Sequence, residues 1–258
     1  MKYKERVVLV TGSTRGIGRG IALAFAREGA CVAINGSNIN LCDKVVGEVN
    51  ELGGTAIAVP GDVSETEVVR NIFNKIIKQF NKIDILVNNA GVIYVVDVIH
   101  TTDEQWDRTF AVNCRGVFLC SREAIGQMLK QKYGKIINIA SNQGKTGFAK
   151  YAHYAASKFA VIGFTQSLSR ELAPLGINVN AVCPGVVDTD MMEGELEIWS
   201  KIEKKSTEEL RKFFLDMIPL QRYETPEDVA KLVLFLASEE ASYITGQAYN
   251  ISGGLEVH

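Results

Sequence analysis

The sequence predicts an α/β fold in which helices cover both faces of a doubly wound parallel sheet. Short apolar runs such as Val7–Val10 alternate along the chain with longer segments of helical periodicity. Strands without a polar face are typical of parallel sheets, because helices bury both sides of such a sheet. No linker-like stretch interrupts the alternation, so we expect a single domain over residues 1–258.

About seven strands and six long helices are expected, in alternation. The strands are rich in Val and Ile and fall at Val7–Val10, Cys31–Ile34, Ala56–Val59, Ile83–Val87, Ile136–Ile139, Asn178–Val182 and Ala248–Ile251. The helices fall near Ile17–Glu28, Leu41–Leu52, Glu65–Phe80, Asp103–Lys130, Tyr151–Ala173 and Pro226–Ala237. Ser64 with Glu67 predicts a capping box for the third helix, and Thr225 before Pro226 predicts the N-cap of the last.

The composition excludes several classes of function. With 258 residues and a net charge of −2, the chain can bury a full core but has no basic field for nucleic acid or acidic membranes. No apolar run approaches the ~20 residues of a membrane span, and residues 1–6 lead into a strand rather than a signal segment. The five cysteines form no Cys-x-x-Cys pair, which argues against zinc and against a disulfide framework. We expect a cytoplasmic protein without a catalytic metal.

A glycine-rich turn follows the first strand, at Thr11–Gly18 (TGSTRGIG). Strand, turn and helix succeed one another in the order in which backbone N–H groups and a helix N-terminus receive a pyrophosphate. Gly12 permits the tight turn, Gly16 lets the backbone approach the phosphates, and Gly18 lets helix and strand pack closely. The pattern indicates a Rossmann-type dinucleotide site at the carboxyl ends of the strands, with a plain strand–helix turn as the alternative.

Tyr154 and Lys158 are spaced for proton transfer. Four residues apart on a helix, they lie on one face roughly 6 Å apart along the axis. A phenol has an unperturbed pKa of about 10, and a nearby ammonium favours the phenolate. The pair could therefore exchange a proton with a substrate near neutral pH. Ser141 ends the fifth predicted strand, where its hydroxyl can orient a substrate oxygen towards Tyr154.

Taken in order, these motifs resemble the short-chain dehydrogenase/reductase family. The resemblance also includes Asn88–Gly91 (NNAG), Pro184-Gly185 and Thr189, and it runs from about Arg6 to Gly254. It implies an NAD(P)-dependent oxidoreductase that transfers a hydride between nicotinamide and a secondary alcohol or ketone. Some relatives keep the fold and bind dinucleotide without turnover, so a non-catalytic regulator is a minor alternative.

The resemblance also assigns residue roles. Ser141 orients the substrate, Tyr154 is the general acid/base, Lys158 lowers the Tyr pKa and holds the nicotinamide ribose, and Asn113 anchors a water in the proton relay. Cofactor contacts are expected from Tyr154 and Lys158 and from Gly12, Arg15, Gly16, Ile17, Gly18, Asp62, Val63, Asn89, Ala90, Gly91, Pro184, Gly185, Val187 and Thr189. Asn88 is expected to brace the sheet.

The end of the second strand favours NADP over NAD. NAD-preferring relatives place an acid there, and an acid would repel a 2′-phosphate by up to about 4 kcal/mol at contact distance. This chain has Asn35, Ser37 and Asn38 instead, which together with Arg15 could receive the phosphate. The second arginine that NADP-preferring relatives often carry near position 37 is absent.

The substrate is expected to bind beneath a helical lid at about residues 188–222. This segment mixes apolar residues such as Met192 with a nearly neutral set of charges, which fits an amphipathic lid or, alternatively, a helix packed on a neighbouring subunit. Gln143 beside Ser141 and Tyr154 suits a small polyol or hydroxyketone. The segments 140–147, 159–166 and 182–192 also resemble the sugar-alcohol dehydrogenases and acetoin/butanediol reductases of the family. A 3-oxoacyl-(acyl-carrier-protein) reductase is the alternative; it calls for a basic docking patch, which Lys145 and Lys150 alone do not make.

A homotetramer is implied by the resemblance alone. Relatives pair the two long central helices across two-fold axes. Phe110, Val117, Phe164 and Leu168 allow such pairing, but they fit the core of one subunit equally well.

Overall fold

Seven parallel strands form one sheet with the order β3-β2-β1-β4-β5-β6-β7 in the computed structural model, which describes residues 1–258. The strands are β1 Val7–Val10, β2 Cys31–Ile34, β3 Thr55–Ala58, β4 Ile85–Asn88, β5 Gly134–Ile139, β6 Ile177–Pro184 and β7 Ala248–Ile251. The chain reverses its direction of winding between β1 and β4, which opens a crevice beyond their carboxyl ends. The predicted Rossmann-type sheet is confirmed.

Nine α-helices accompany the sheet. They are α1 Gly16–Arg27, α2 Ile39–Glu51, α3 Thr66–Phe80, α4 Asp103–Phe110, α5 Val117–Gln131, α6 Ala152–Leu172, α7 Asp190–Glu203, α8 Thr207–Asp216 and α9 Pro226–Leu236. Helices α1, α2 and α9 cover one face of the sheet through residues such as Phe25, Val45 and Val233. Helices α3, α5 and α6 cover the other through residues such as Ile76 and Met128. Burial on both faces explains why the strands lack polar alternation.

The predicted helix Asp103–Lys130 is interrupted. Residues Ala111–Gly116 between α4 and α5 form a π-helical stretch, in which each turn carries an extra residue. Asn113 lies within it, fully buried. Hydropathy periodicity could not predict this stretch, because one wide turn hardly changes the apolar pattern over twenty-eight residues.

One of the two predicted caps is wrong. Helix α3 begins after Glu65, and the Ser64 hydroxyl donates to Asp62 Oδ1 at 2.8 Å instead of capping the helix. Because Asp62 is a charged acceptor only two residues away, it competes successfully with the helix terminus for that hydroxyl. The cap of α9 is confirmed, since Thr225 and Asp228 form a reciprocal capping box.

Two short helices, α7 and α8, connect β6 to α9 where the sequence predicts the lid. They share a small core of Met192, Leu196 and Leu210, against which Trp199 and Phe214 pack. The apolar side of this segment therefore faces inward, as its amphipathic sequence indicates. We call α7 and α8 with their connection the lid segment.

All five cysteines are free thiols, as expected from their scattered positions. No helix is both long and apolar enough to cross a bilayer. No group of three or more His, Cys, Asp or Glu side chains is arranged to hold a metal ion.

Contact between α1 and α9 depends on a glycine. A Cβ at Gly20 would lie 2.7 Å from Pro226 Cβ, whereas a Cβ at Gly47 on α2 would meet nothing within 4 Å. We expect Gly20→Ala to lower the free energy of unfolding by about 1–3 kcal/mol through overpacking. Gly47→Ala should raise it by about 0.5–1 kcal/mol through helix propensity. Urea unfolding of both variants tests this; equal effects would contradict the assigned packing.

Candidate active site

A cavity of about 420 Å³ opens at the carboxyl end of the sheet, above the crevice between β1 and β4. The glycine-rich turn forms one end of it, and the lid segment covers the other. The predicted site residues that line it are Gly12, Arg15, Gly16, Ile17, Gly18, Asn35, Ser37, Asp62, Val63, Asn89, Ala90, Gly91, Ser141, Gln143, Tyr154, Lys158, Pro184, Gly185, Val187, Thr189 and Met192. Asn38 and Asn113 lie outside the wall.

The glycine-rich turn fits a pyrophosphate. Gly12 has φ +62°, and a Cβ there would lie 2.8 Å from Ala90 Cα. A Cβ at Gly18 would lie 2.3 Å from the Gly12 oxygen, so side chains are excluded where the backbone must lie open. Arg15 is the N-cap residue of α1, and its side chain makes no cap hydrogen bond. The first N–H groups of the helix are therefore available to an anion.

Strands β1 and β4 are joined by side chains just beyond their last paired residues. The Thr11 hydroxyl accepts from the N–H groups of Asn89 and Ala90 at 2.9 and 3.0 Å. The Asn89 amide donates to the carbonyls of Thr11 and Gly12. Asn89 is thus engaged within the chain, and it holds open the edge that the cofactor ribose would approach. As predicted, Asn88 braces the sheet, donating to Asn138 and Ser121.

The three polar residues after β2 have different environments. Asn35 is buried, and its amide accepts from Gly12 N–H and donates to the carbonyls of Val59 and Gly61. Asn38 caps α2 by accepting from the N–H groups of Asn40 and Leu41. Only Ser37 is both exposed and part of the cavity wall. Of the three side chains, only that of Ser37 is therefore placed to contact a substituent on the cofactor ribose.

Asp62 and Val63, the predicted adenine contacts, both line the cavity. Asp62 Oδ2 forms an ion pair with Arg108 at 2.7 Å, and Oδ1 accepts from Ser64. Arg108 also lines the cavity, which the sequence did not indicate. Buried Val63 packs against the π-helical stretch, where a Cβ on Gly116 would lie 2.9 Å from its side chain.

The segment after β6 is fixed by a buried glutamate that the sequence did not single out. Glu224 Oε2 accepts from Gly185 N–H at 2.9 Å, while Oε1 has no partner. Burial raises the pKa of Glu224 to about 8, so its carboxyl is largely protonated at neutral pH. Thr189 is the N-cap residue of α7, but its hydroxyl accepts no hydrogen bond from the N–H groups of the helix, and its methyl group lies near Gly16. Turn and lid therefore meet across the cavity.

Ser141, Tyr154 and Lys158 converge where β5 ends. Lys158, only 4 % exposed, donates from Nζ to the carbonyl of Ile139 at 2.8 Å. The same Nζ lies 5.5 Å from the centre of the Tyr154 ring. Ser141 Oγ accepts from Gln143 N–H and donates to Asn142 Oδ1, both at 3.1 Å. The arrangement brings a phenol, a hydroxyl and an ammonium to one wall of the cavity.

Burial shifts the pKa of both ionisable members. Burial, aided by the negative charge of Glu195, raises the pKa of Tyr154 above its usual value, and the Ser141 hydroxyl opposes that shift. Burial also lowers the pKa of Lys158 to about 8. In this state of the protein, Lys158 does not bring the pKa of Tyr154 below the usual value. Tyr154 is therefore protonated at neutral pH and is suited to donate a proton.

Asn113 braces the site from behind. Its Oδ1 accepts from Val92 N–H at 2.9 Å, and its Nδ2 donates to the Val92 carbonyl and to Ser157 Oγ at 3.0 Å. The side-chain amide is thus occupied by the loop after β4 and by the catalytic helix α6. Its placement favours a bracing role for the side chain rather than direct contact with a substrate.

Three wall residues near the lid were not assigned a role from sequence. Trp199 Nε1 donates to the Tyr151 hydroxyl, and that hydroxyl donates to Glu195 Oε2, both over 2.7 Å. Tyr151 lies in the cavity wall about one helical turn before Tyr154. His153 is buried beside Tyr94, outside the cavity, and neither ring nitrogen has a partner. Contacts of this kind depend on how the lid folds back, which the local sequence does not specify.

Comparison with known proteins decides the family. A family model described as enoyl-(acyl carrier protein) reductase matches residues 12–256. A 3-oxoacyl-(acyl-carrier-protein) reductase FabG of Staphylococcus aureus is 40% identical over 248 residues, or 96% of each chain. The FabG protein of Thermotoga maritima is 37% identical over the full length of both chains. This chain belongs to the short-chain dehydrogenase/reductase family.

The family fixes the class of reaction. The protein is an NAD(P)-dependent oxidoreductase that acts on CH–OH groups. This confirms the predicted enzyme class; the alternative, a non-catalytic regulator, is not favoured. A crystal structure of an actinorhodin polyketide ketoreductase variant with NADPH superposes with a TM-score of 0.96. It is 36% identical and is matched over 99% of this chain and 100% of its own. The names of the curated relatives favour a 3-oxoacyl thioester as the substrate rather than the polyol or hydroxyketone predicted from the sequence.

Removal of the Tyr154 hydroxyl tests the assignment of the acid. We expect Tyr154→Phe to lower kcat/KM for a ketone by about 10²–10⁴-fold, because proton donation in the transition state is lost. Cofactor affinity, measured by quenching of protein fluorescence, should change much less. Tyr249→Phe, outside the cavity on β7, is the control. Activity retained above a few per cent would exclude Tyr154 as the acid.

Proposed function

We propose that the protein reduces the keto group of 3-oxoacyl thioesters with NADPH. The observation that carries the proposal is the lining of one cavity by the glycine-rich turn together with Ser141, Tyr154 and Lys158. Full-length similarity to 3-oxoacyl-(acyl-carrier-protein) reductases, including a protein of Synechocystis that is 41% identical over 252 residues, supports the substrate class.

The side chains divide the chemistry between them. NADPH, when bound, supplies the hydride that reduces the carbonyl carbon. Tyr154, protonated at neutral pH, donates its proton to the carbonyl oxygen, and Ser141 orients that oxygen by a hydrogen bond. Lys158 places positive charge beside the oxygen as negative charge develops. The turn Thr11–Gly18, with Asp62, Asn89 and Thr189, would hold the cofactor along the sheet edge.

The inner wall of the lid segment supports an acyl chain as substrate. Met192, Leu196, Trp199 and Phe214 present a mainly apolar surface to the cavity. We propose that the segment acts as a lid closing over the bound chain. Lys145 and Lys150, the candidate docking cations, are engaged with the Ala248 carbonyl and with Asp97 respectively. Because neither lysine is free to dock an acidic carrier, recognition of the acyl group and recognition of the carrier are tested separately.

We further propose a homotetramer in the cytoplasm, with residues 1–258 as one catalytic domain. Phe110, Val117, Phe164 and Leu168 are buried or half-buried within the subunit. Other apolar side chains on the same helices are exposed: Phe118 on α5 is 45% exposed and Phe159 on α6 is 48% exposed. These two residues support pairing of the helices between subunits. Five free thiols suit a reducing compartment.

The preference for NADP rests on the absence of an acid after β2, and Ser37 is the position to test. A Cβ at Gly36 would lie 2.6 Å from Thr14 Cγ2, so an acid there would disturb the turn itself. We expect Ser37→Asp to lower the NADPH/NADH ratio of kcat/KM by at least about tenfold, through repulsion of the 2′-phosphate. Asn38→Asp keeps the α2 cap and serves as the charge control. Equal ratios in Ser37→Asp and wild type would show that the ribose binds elsewhere.

The substrate class is tested by a panel of initial rates with NADPH. We expect acetoacetyl thioesters of N-acetylcysteamine, coenzyme A and acyl-carrier protein to exceed acetoin, diacetyl and fructose in kcat/KM. A higher rate with acyl-carrier protein alone shows that the enzyme recognises the carrier. Equal rates with all three thioesters show that it recognises only the acyl group. Preference for acetoin or fructose would overturn the proposal in favour of the hydroxyketone or polyol. Selective reduction of crotonyl thioester would make the protein an enoyl reductase.

A further inference from the structure

Two acids of the lid segment line the cavity, Asp190 at the start of α7 and Glu195 in its middle. Glu195 is half-buried and contacts Tyr151, which belongs to the same cavity wall as Tyr154. On α7 it shares a face with Met192, three residues before, and Trp199, four residues after, both of which line the cavity. The row places one carboxyl group in an otherwise apolar wall.

A structural role does not account for Glu195. Two neighbouring acids pair with a cation, since Arg211 forms ion pairs with both Asp188 and Glu193. Glu195 has no cationic partner, and burial raises the pKa of its carboxyl to about 7. A half-buried carboxyl without a cation costs free energy of folding, and the single hydrogen bond from the Tyr151 hydroxyl offsets only part of that cost.

The directions of the neighbouring hydrogen bonds show which oxygen of Glu195 is free to accept a hydrogen bond. The Tyr151 hydroxyl accepts from Trp199 Nε1, so its own proton goes to Glu195 Oε2. This relay fixes the carboxyl group in one orientation. The other oxygen, Oε1, has no partner within the chain and is not enclosed by protein. It is therefore a pre-oriented hydrogen-bonding atom at the cavity wall.

Glu195 also lies close to the reacting centre. Tyr151, which holds it, precedes Tyr154 by three residues, or about one helical turn. The carboxyl is near enough for its charge to act on the Tyr154 phenol. Next to Ser141, Gln143 also lines the cavity, but its Oε1 is enclosed by protein, which leaves Glu195 Oε1 as the acceptor presented by this wall.

We propose that Glu195 determines substrate specificity by accepting a hydrogen bond from a hydroxyl group of the substrate located within a few atoms of the keto carbon. The proposal rests on the proposed function for the site and narrows it: of two acyl groups of equal length, the one with a hydroxyl group beyond the ketone is preferred. A site built around a hydrogen-bonding group rejects the analogue that lacks the partner, because the group is then buried unpaired.

The test compares two ketones that differ only by a terminal hydroxyl in place of a methyl, 4-hydroxy-2-butanone and 2-pentanone. Neither carries a thioester, so the result is independent of carrier recognition. We expect wild type to favour the hydroxyketone by at least about tenfold in kcat/KM. Glu195→Leu should reduce that ratio to near one, mainly by slowing the hydroxyketone. Glu195→Gln, which retains an acceptor oxygen, should keep part of the preference.

Glu197→Leu is the matched control, because Glu197 is exposed on the same helix and outside the cavity wall. It should leave the ratio of the two ketones unchanged. A wild-type ratio near one, or an unchanged ratio in Glu195→Leu, overturns the proposal. If thioesters are not reduced but the ketone ratio behaves as expected, the proposed function fails and the role of Glu195 stands.

A binding measurement gives the same answer without turnover. Oxidised NADP carries no hydride to transfer, so a ketone bound beside it is not reduced. Trp199 lies in the cavity wall, and its fluorescence in a Trp106→Phe background reports ketone binding to the NADP⁺-bound protein. We expect 4-hydroxy-2-butanone to bind at least about tenfold more tightly than 2-pentanone. The difference should disappear in Glu195→Leu and persist in Glu197→Leu. Equal dissociation constants for the two ketones in the protein that retains Glu195 would contradict the proposal.

Discussion

The hydrogen bond from Lys158 to the Ile139 carbonyl is the interaction on which the site depends. It ties the middle of α6 to the end of β5 and keeps a buried ammonium at the sheet edge. Ser141 follows Ile139 by two residues, and Tyr154 precedes Lys158 by one helical turn, so this bond sets their separation. Asn113 supports the same helix through Ser157. The chemistry is thus positioned by regular elements rather than by flexible loops.

Those features of the fold that arise from local periodicity could be predicted from the sequence. Seven apolar strands alternating with helices specify the parallel sheet, and Gly12 and Gly18 are needed where backbone approaches backbone. The Tyr154–Lys158 spacing places two side chains on one helical face whatever surrounds them. The strand ends differ by a few residues from prediction, because pairing with a neighbour extends β5 and β6 beyond their apolar runs.

Features that depend on tertiary contact could not be predicted. Asn35 and Asn38 look like free ligands in sequence, but their amides serve the turn and the start of α2. In the sequence, Glu195 is one of several acids in a charged segment. Only its contact with Tyr151, forty-four residues earlier in the chain, distinguishes it. Glu224 contacts Gly185 across thirty-nine positions of sequence. The polyol was predicted from Gln143 and from local resemblance, whereas the full-length relatives named as 3-oxoacyl-(acyl-carrier-protein) reductases favour the alternative substrate class.

We propose that this cavity brings the nicotinamide carbon and the substrate carbonyl together beside Tyr154. The most direct test is reduction of acetoacetyl N-acetylcysteamine thioester with NADPH that carries deuterium at both C4 positions, followed by mass spectrometry and NMR of the product. We expect one deuterium on the carbinol carbon. A reduced product without deuterium at that carbon, or binding of NADPH without its consumption by any ketone, would contradict it.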